Sequence, residues 1–581
     1  MDPNPNVEAL AAALTKDLRG EVEASRLSRA MYSTDASNYR VVPKVVVFPR
    51  DADDLAAVGG IARQFDTPVT MRGAGTSCAG NAVGPGIVVD ASRHLNRVLE
   101  VDVAGRTARV EPGVVMDSLQ QLVSPHGLRF GPDPSTHSRC TFGGMIGNNA
   151  CGNHAIAYGR TADNVEALTL IDGRGRLVEA GRGDLSPVAG LAELVAANLA
   201  VLRTEFGRFR RQISGYGLDH LLPEKGADLA KALVGGEGTL GIVAQAKLRL
   251  VRLAEAPVLV VLGYPKLPDA ADDVPALLPF GPLALEGLDA RLAGVYRRHV
   301  AAAPDLPEGG AWLMVEVADP AAADAVVRAA ATGRHKIVPP GDQARAIWRI
   351  REDGAGLGGR TQSGRQGWPG FEDAAVPPDK LGAYLRAFDR LLDRFGLEGL
   401  PYGHLGDGCV HIRIDFPFER GSRTFRSFMR AAGELAVAHG GSLSGEHGDG
   451  RARSELLGMM YSPAAVKLME RFKALFDPLG LMNPGVKVSP AALDADLRRP
   501  AARPIKARGG FCFQADGGDL TRAAHRCTGV AKCHADAAAG GGFMCPSFLA
   551  SGLEKDSTRG RARVLQEVAN GSLSGPGFAA P

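Results

Sequence analysis

A pair of histidines and a nearby glutamate have the residue types and spacing of a metal site. Asp407-Gly408 is a preferred pair for a two-residue type I′ hairpin turn, which would place His404 directly opposite His411. Directly opposed side chains lie roughly 4.5–5.5 Å apart at Cβ, so the two imidazoles could share one cation. Glu446 would complete two histidines and one carboxylate, a set suited to Zn, Mn or Fe(II) with open coordination positions. A purely structural role for the histidines is the alternative.

Three glycine-dense segments could hold an anion such as a diphosphate. Closely spaced glycines leave backbone N–H groups free to point at a negative charge. Each segment alone would also fit a tight turn, but three in one region are harder to explain as turns. The segments are Arg72–Gly80, which follows the predicted strand Val69–Met71, Phe142–Gly152 and Val234–Ile242.

Two α+β regions must position these residues. Short β-branched strands alternate with helices and glycine turns over residues 20–253, and amphipathic helices and further strands follow over 254–490. The proline and arginine content of residues 491–510 predicts a linker. A tail to residue 581 follows, and at this length the chain is too long for a single hydrophobic core.

Composition excludes some classes of function. The formal net charge of +3 gives no electrostatic reason to expect nucleic acid as a partner. The sequence has no run of 18 apolar residues and no N-terminus of signal-peptide type. We therefore expect a cytoplasmic protein with reduced thiols. Peripheral attachment to the inner face of the membrane and a homodimer are left open.

The glycine segments, together with residues 131–136, resemble the FAD-binding domain of the vanillyl-alcohol-oxidase type. The resemblance covers nearly all of residues 20–490. It is closest to the branch of D-lactate dehydrogenases and glycolate oxidases with a fused C-terminal iron–sulfur region. It implies an α+β fold: a PCMH-type FAD-binding domain at 20–253, a cap domain with an antiparallel sheet for substrate and metal at 254–490, and a linker with a partial ferredoxin-like segment at 491–581.

The resemblance also implies a noncovalent FAD. Some relatives attach the cofactor through a histidine in the first glycine segment, and this chain has none there. The diphosphate would lie on the first segment, and the flavin would contact the others. The implied contacts are Arg72, Gly73, Ala74, Gly75, Thr76, Ser77, Pro134, Ser135, Gly144, Gly147, Asn148 and Ile242.

In the resembled family, residues that match His404, His411 and Glu446 hold a divalent metal, and the histidine that matches His447 is the base. This division is chemically sound. The metal would lower the pKa of the substrate hydroxyl, His447 would take the hydroxyl proton, and the C2 hydride would pass to the flavin.

The substrate carboxylate would need a guanidinium group. Arg351 matches a substrate arginine of related 2-hydroxy-acid dehydrogenases, with an exposed helix arginine as the alternative, and Arg413 is the second candidate. Relatives specialised for 2-hydroxyglutarate carry a small amide at the position of Arg413 and a lysine near that of Phe371. This chain has neither, which favours D-lactate.

Other activities are left open. Glycolate and D-2-hydroxyglutarate are alternative substrates, and the electron acceptor would be a quinone, a cytochrome or an electron-transfer protein. A flavin subunit that only transfers electrons is the alternative of another class. The presence of Glu446 and His447 argues against that alternative, and the incomplete cysteine motif of the tail argues for it.

The tail carries cysteines that look like half of a two-cluster ferredoxin-type segment: Cys527, Cys533 and Cys545, the last followed by proline. A [4Fe–4S] cluster needs four ligands, so Cys512, His534 or a residue from elsewhere would have to be the fourth. The second cysteine motif of the fused family does not follow. The alternatives are an intact cluster and a truncated, poorly ordered tail.

Overall fold

A computed structural model describes residues 5–299, 304–353, 356, 359–361, 363–500, 502–506, 512–535 and 544–573. Its first sheet has the strand order Glu21–Glu23, Val45–Phe48, Ile87–Asp90 and Val69–Arg72. The last three strands are parallel, and the valines of Val45–Phe48 are fully buried, as parallel strands covered on both faces require. The first glycine segment begins where Val69–Arg72 ends.

The second sheet is antiparallel and has the strand order Val98–Asp102, Thr107–Val110, Gly241–Arg252, Val165–Asp172 and Leu177–Ala180, with Leu128–Phe130 also paired to Gly241–Arg252. Burial alternates along Gly241–Arg252, so one face of this long strand packs on the core. The third glycine segment leads directly into it.

A third sheet, here called the cap sheet, is antiparallel throughout. Its strand order is His335–Val338, Val258–Tyr264, Ala311–Val317, Ala284–Asp289, Gly399–His404, Cys409–Ile414 and Ala374–Ala375. The longest helices of this region, Leu381–Phe395 and Arg423–Ala438, pack against each other. Each buries one apolar stripe, as expected for amphipathic helices beside a sheet.

The histidine hairpin differs from the sequence prediction in its turn. Leu405–Asp407 forms a 3₁₀ turn ending at Gly408, so the loop has four residues, and His404 pairs with Cys409. The predicted two-residue turn and direct pairing of His404 with His411 are therefore wrong. A register shift of two residues keeps every side chain on its face, so both imidazoles still point to one side.

The remaining helices surround these sheets, and short helices continue into the tail. Leu493 is fully buried, so the segment predicted as a linker packs on the body of the protein where it is described. Among the described residues, none of the helices is long and apolar enough to cross a membrane. The helices are Pro5–Asp17, Arg26–Met31, Ala52–Gln64, Met116–Val123, Phe142–Asn148, Ala155–Tyr158, Leu191–Ala196, Leu199–Glu205, Leu229–Leu233, Leu267–Leu277, Ala290–His299, Pro320–Ala329, Asp342–Glu352, Gly450–Arg453, Leu457–Met460, Pro463–Phe476, Leu520–Ala524, Pro546–Ser551 and Thr558–Ala569.

Candidate active site

One large cavity lies where the three glycine segments meet the cap sheet. Its volume is about 1780 Å³ including its open mouth. Residues of all three glycine segments line one part of the cavity. The histidine hairpin and the loop around Glu446 line another part. The glycine segments and the histidine cluster therefore face one shared cavity.

The first glycine segment forms a cradle that side chains would fill. A Cβ atom at Gly73 would lie 2.2 Å from Thr141 Oγ1, and Gly75 has φ +63°. Backbone N–H groups left accessible in this way fit a diphosphate. Except for Ile242, all the predicted FAD contacts line the cavity, namely Arg72, Gly73, Ala74, Gly75, Thr76, Ser77, Pro134, Ser135, Gly144, Gly147 and Asn148.

Ile242 faces away from this cavity. It is 1% exposed and belongs to the hydrophobic core beneath the first sheet. Its neighbours Gly241 and Val243 line the cavity instead. Because side chains alternate between the two faces of a strand, Ile242 must point to the other side.

His404, His411 and Glu446 converge at the bottom of the cavity. Glu446 Oε1 lies 3.0 Å from His404 Nε2 and 3.1 Å from His411 Nε2. The two imidazole rings lie at 89° to each other with centroids 5.1 Å apart. The sequence prediction that these three side chains meet agrees with this geometry, although the hairpin reaches it through a different turn.

The protonation of His411 leaves a place for a cation. Its Nδ1 lies 3.0 Å from the carbonyl oxygen of Glu372, which can only accept, so Nδ1 carries the proton. Burial lowers the pKa of His411, so the ring is neutral and Nε2 has a lone pair. That lone pair faces the carboxylate of Glu446. A divalent cation between the two atoms would convert a repulsive contact into coordination.

Asp373 is a second candidate ligand that the sequence did not single out. Ligand atoms of Asp373, His411, Glu446 and His447 lie within 4.8 Å of one another, a set that does not include His404. However, the oxygens of Asp373 already accept hydrogen bonds from backbone N–H groups and a hydroxyl of the loop that carries Glu446. We therefore assign Asp373 to holding that loop, and retain His404 as the ligand.

Glu286 positions the side of His404 that faces Glu446. Its Oε1 lies 2.6 Å from His404 Nδ1 and its Oε2 accepts a hydrogen bond of 2.8 Å from Arg351 Nε. Burial alone would lower the pKa of His404, but the carboxylates of Glu286 and Glu446 outweigh burial and raise that pKa to about 9. Glu286 thus directs Nε2 of His404 towards Glu446. The same carboxylate also binds Arg351, so it connects Arg351 to the candidate metal ligands. The sequence analysis missed this residue.

We expect Glu286→Gln to weaken binding of a divalent metal by about 10–100-fold, the usual cost of losing such a supporting partner. The amide removes the negative charge that fixes the tautomer of His404. The dissociation constant for Zn²⁺, measured by competition with a chromogenic chelator, checks this. Glu316→Gln is the matched control, because Glu316 lies on the same sheet and contacts His154 and Trp348 instead. Equal dissociation constants for Glu286→Gln and the unaltered chain would refute the assigned role.

His447 is the most accessible of the three histidines. Its side chain is 28% exposed, compared with 5% for His404 and His411, and its ring stacks on that of His411 with centroids 4.8 Å apart. Its Nδ1 lies 3.2 Å from Glu372 Oε1. Burial alone would lower the pKa of His447, but the carboxylates of Asp373 and Glu372 outweigh it and raise the pKa. A proton on Nδ1, shared with Glu372, leaves Nε2 free to accept another.

Arg211 holds the far side of Glu446. It is fully buried and donates hydrogen bonds of 3.0 and 2.8 Å to Asp407 Oδ2 and of 3.2 Å to Glu446 Oε2. Asp407 belongs to the 3₁₀ turn of the hairpin, so one guanidinium connects that turn to the proposed metal ligand. This ion pair explains why Asp407 does not sit in a two-residue turn.

Two buried guanidinium groups complete the cavity wall. Arg351, 3% exposed at the end of the helix Asp342–Glu352, lies over the ring of Tyr402 at 4.8 Å, so the alternative of an exposed arginine is wrong. Its Nη2 has no hydrogen-bond partner among the described residues. Arg413, also 3% exposed, has an unpartnered Nε within the described part of the chain, and Nη2 donates to Cys78 Sγ at 3.7 Å. A buried N–H group without a partner requires an explanation, and at these two positions on the cavity wall an anionic ligand would supply the partner.

The cysteines of the tail lie apart from the histidine cluster. Cys533 and Cys545 are buried, Cys527 is half-buried and Cys512 is exposed. The His534 ring stacks on Phe548 with centroids 3.7 Å apart. Within the described ranges, no three of the tail cysteines and His534 bring their ligand atoms within 4.8 Å of one another. The iron–sulfur site stays a prediction.

Two family models match the chain. The model described as "FAD binding domain" matches residues 43–181, and "FAD linked oxidases, C-terminal domain" matches residues 253–486. The solved structure of 4-ethylphenol oxidase from Gulosibacter chungangensis is similar with a TM-score of 0.61 and 15% identity, covering 84% of this chain and 98% of that one. The predicted fold, an FAD-binding domain of the vanillyl-alcohol-oxidase type followed by an α+β cap domain, is confirmed.

Curated relatives extend the comparison. D-2-hydroxyglutarate dehydrogenase of Pseudomonas putida is 32% identical over 96% of this chain. D-lactate dehydrogenase of Archaeoglobus fulgidus is 30% identical, over 76% of this chain and 90% of its own length. The chain spans 59% of the length of the Pseudomonas relative.

Proposed function

Since the chain belongs to the family of FAD-linked dehydrogenases and oxidases of 2-hydroxy acids, we propose that it oxidises a D-2-hydroxy acid to the 2-oxo acid. The observation that carries this proposal is that the glycine cradle, the histidine–glutamate cluster and two guanidinium groups open into one cavity, and that each guanidinium has one nitrogen without a partner among the described residues. An oxidation of this kind needs a hydride acceptor, a base and a carboxylate anchor within reach of one carbon atom.

The cofactor would be a noncovalent FAD held by the glycine segments. Bound FAD supplies the hydride acceptor, a chemistry that belongs to the cofactor itself. The chain's contribution is to place the substrate between this acceptor and the histidine cluster. Since the glycine segments and the histidine cluster line the same cavity, a bound acid would have its hydroxyl at His447 and its C2–H bond on the side of the glycine segments, which would hold the FAD.

His404, His411 and Glu446 would hold a divalent cation. A bound Zn²⁺, Mn²⁺ or Fe²⁺ supplies Lewis acidity that lowers the pKa of a coordinated hydroxyl. His447 Nε2 then accepts the hydroxyl proton, and the negative charge of Glu372 stabilises the imidazolium that forms. As the C2–O double bond forms, the C2 hydride would be taken up by the bound FAD, so the acid becomes a 2-oxo acid and the chain itself retains one proton on His447.

Arg351 is the proposed anchor for the carboxylate next to the reacting carbon. Its Nε is fixed by Glu286, which also contacts His404, so the anchor and the metal site keep a constant separation. Its Nη2, without a partner in the described ranges, is then available to the substrate. A charge-assisted hydrogen bond of this kind gives both affinity and orientation.

Arg413 favours a second carboxylate on the substrate. It is buried and makes no ion pair with any described residue, whereas Arg351 is paired with Glu286. The buried carboxylate of Glu372 acts on Arg413 from a distance, but Glu372 is already shared with His447. A substrate carboxylate would give Arg413 a direct partner, and D-lactate has only one carboxylate to offer. We therefore place a dicarboxylic D-2-hydroxy acid such as D-2-hydroxyglutarate ahead of D-lactate, which the sequence alone favoured. In this chain Arg413 would bind the second carboxylate in place of the amide and lysine of the specialised relatives. The relative from Pseudomonas putida, named D-2-hydroxyglutarate dehydrogenase, supports this order.

Anaerobic bleaching of the flavin absorbance by D-2-hydroxyglutarate, D-lactate, glycolate and the L-enantiomers tests both the activity and the substrate. We expect D-2-hydroxyglutarate to give the highest kcat/KM. Arg413→Gln should lower that value by about 10–150-fold, since charged hydrogen bonds contribute about 1.5–3 kcal/mol, and should affect D-lactate much less. The exposed Arg420→Gln is the control.

Each other outcome of this panel has a definite meaning. An equal loss for D-lactate and D-2-hydroxyglutarate in Arg413→Gln would refute the second carboxylate. A flavin that none of the acids reduces would refute the proposed activity and favour a subunit that only transfers electrons. The acceptor that reoxidises the flavin, whether a quinone, a cytochrome or an electron-transfer protein, is a separate part of the proposal.

A further inference from the structure

The C-terminal tail reaches the flavin cavity. Val530 lines that cavity together with the first two glycine segments. Its backbone oxygen accepts a hydrogen bond of 2.6 Å from Nε of Arg139, a buried residue of the loop that precedes the second glycine segment. Gly529 beside it has φ +79°, and a Cβ atom there would lie 2.8 Å from the backbone oxygen of Asp35. The tail thus enters the cavity wall at a close backbone-to-backbone contact.

A buried ion pair fixes this part of the tail to the first glycine segment. Arg559 is 3% exposed and pairs through Nε and Nη2 with both carboxylate oxygens of Glu554, at 2.8 and 2.6 Å. Its remaining Nη1 donates to the backbone oxygen of Ala74 at 2.6 Å. Ala74 lies in the proposed diphosphate cradle. A guanidinium held rigidly by its own carboxylate therefore fixes a peptide group of the FAD site.

The same helix, Thr558–Ala569, contacts the N-terminal part of the chain at two further places. Arg563 Nη2 donates to the backbone oxygen of Asp35 at 2.9 Å, and Glu567 pairs with Arg40 at 2.6 and 2.7 Å. The tail residues that make these contacts lie outside residues 43–181 and 253–486, the parts of the chain that the family models match. The tail is therefore attached to the N-terminal part of the chain as well as to the cavity wall.

We propose that the described tail residues 526–535 and 544–563 form a wall of the FAD site and slow the release of the cofactor, with Arg559 as the residue that positions the Ala74 loop and Val530 as the part that faces the cavity. This role does not depend on an iron–sulfur cluster. It rests on the proposed FAD site, because a wall of that site has meaning only if the glycine segments bind FAD.

The test is the affinity of the full-length apoprotein for FAD, measured by the quenching of flavin fluorescence on titration. Arg559→Met should raise the dissociation constant at least tenfold and speed the release of FAD on dilution. Arg561→Met is the matched control, since Arg561 lies on the same helix and contacts only the exposed side of the tail through Ser547. Far-UV circular dichroism checks that each variant is folded.

A second variant keeps the test decisive if Arg559→Met unfolds the tail. Val530→Asp leaves the Arg559–Glu554 pair intact and places a negative charge in the cavity wall, where it should weaken binding of the anionic FAD. A raised dissociation constant in either folded variant, with Arg561→Met unchanged, supports the proposal. Normal affinity in both variants would overturn it. An unaltered chain that does not bind FAD would instead refute the proposed function.

Discussion

Replacing His447 with asparagine is expected to slow reduction of the flavin by the D-2-hydroxy acid by about 10²–10⁴-fold, the usual contribution of a general base. Asparagine keeps a polar group of similar reach next to Glu372, but it cannot take the proton of the substrate hydroxyl. The rate constant from anaerobic stopped-flow measurements at saturating substrate checks the expectation. FAD content and metal content should not change, because His447 is assigned to neither site.

His126→Asn is the control for this substitution, because His126 is exposed and lies outside the cavity. In the His126→Asn variant, the D-2-hydroxy acid should reduce the flavin at the same rate as in the unaltered chain. If His447→Asn stays within tenfold of the unaltered chain while retaining FAD and metal, another group must take the proton. In that case the pairing of His447 with Glu372 would have a structural role only.

Replacing Arg211 with methionine is expected to destabilise the protein by about 3–5 kcal/mol, the usual cost of breaking a buried ion pair on one side. The substitution leaves the carboxylates of Asp407 and Glu446 buried without their shared guanidinium. The loss should appear as a lower urea midpoint by far-UV circular dichroism. Binding of a divalent metal should weaken as well, because Glu446 loses a contact that orients it.

The control for Arg211→Met is Arg203→Met. Arg203 makes a comparable pair with Glu224, but both side chains are about half exposed. Exposed pairs contribute about 0–1 kcal/mol, so the midpoint of this variant should hardly move. Similar midpoints for the two variants would show that the buried network around Arg211 does not stabilise the site.

The histidine hairpin illustrates how far local sequence rules reach. Alternation along strands correctly predicted that His404, His411 and Arg413 share one face. The turn type was wrong, because the preference of Asp-Gly for a two-residue turn is overridden by the ion pair between Asp407 and Arg211. Local propensity cannot anticipate a partner almost 200 residues away in the chain.

The glycine segments were more predictable than the side chains around them. The positive φ at Gly75 and the close approach of Gly73 to Thr141 favour glycine at both positions. Such requirements can be recognised in the sequence as closely spaced glycines. The residue type of Ile242 gives no comparable indication of the direction in which its side chain points. Its place in a family motif did not reveal that Gly241 and Val243, rather than Ile242, line the cavity.

Glu286 and Arg211 could not be found by reading the sequence. Glu286 lies within an apolar strand with no motif around it, and Arg211 is one of three arginines within four residues. Both matter only through contacts across different sheets or regions of the chain. The pair Glu372-Asp373 did offer a signal, since two adjacent carboxylates directly precede a short buried strand, Ala374–Ala375.

The most direct measurement of the central claim is the rate of anaerobic flavin reduction by a D-2-hydroxy acid carrying deuterium at C2, compared with the unlabelled acid. If the C2 hydride passes to the flavin at this site, the labelled acid should reduce the flavin severalfold more slowly. Removal of the divalent metal with a chelator should abolish reduction by either acid. Equal rates for the two acids in the metal-loaded protein, or bleaching that persists after the metal is removed, would contradict the account.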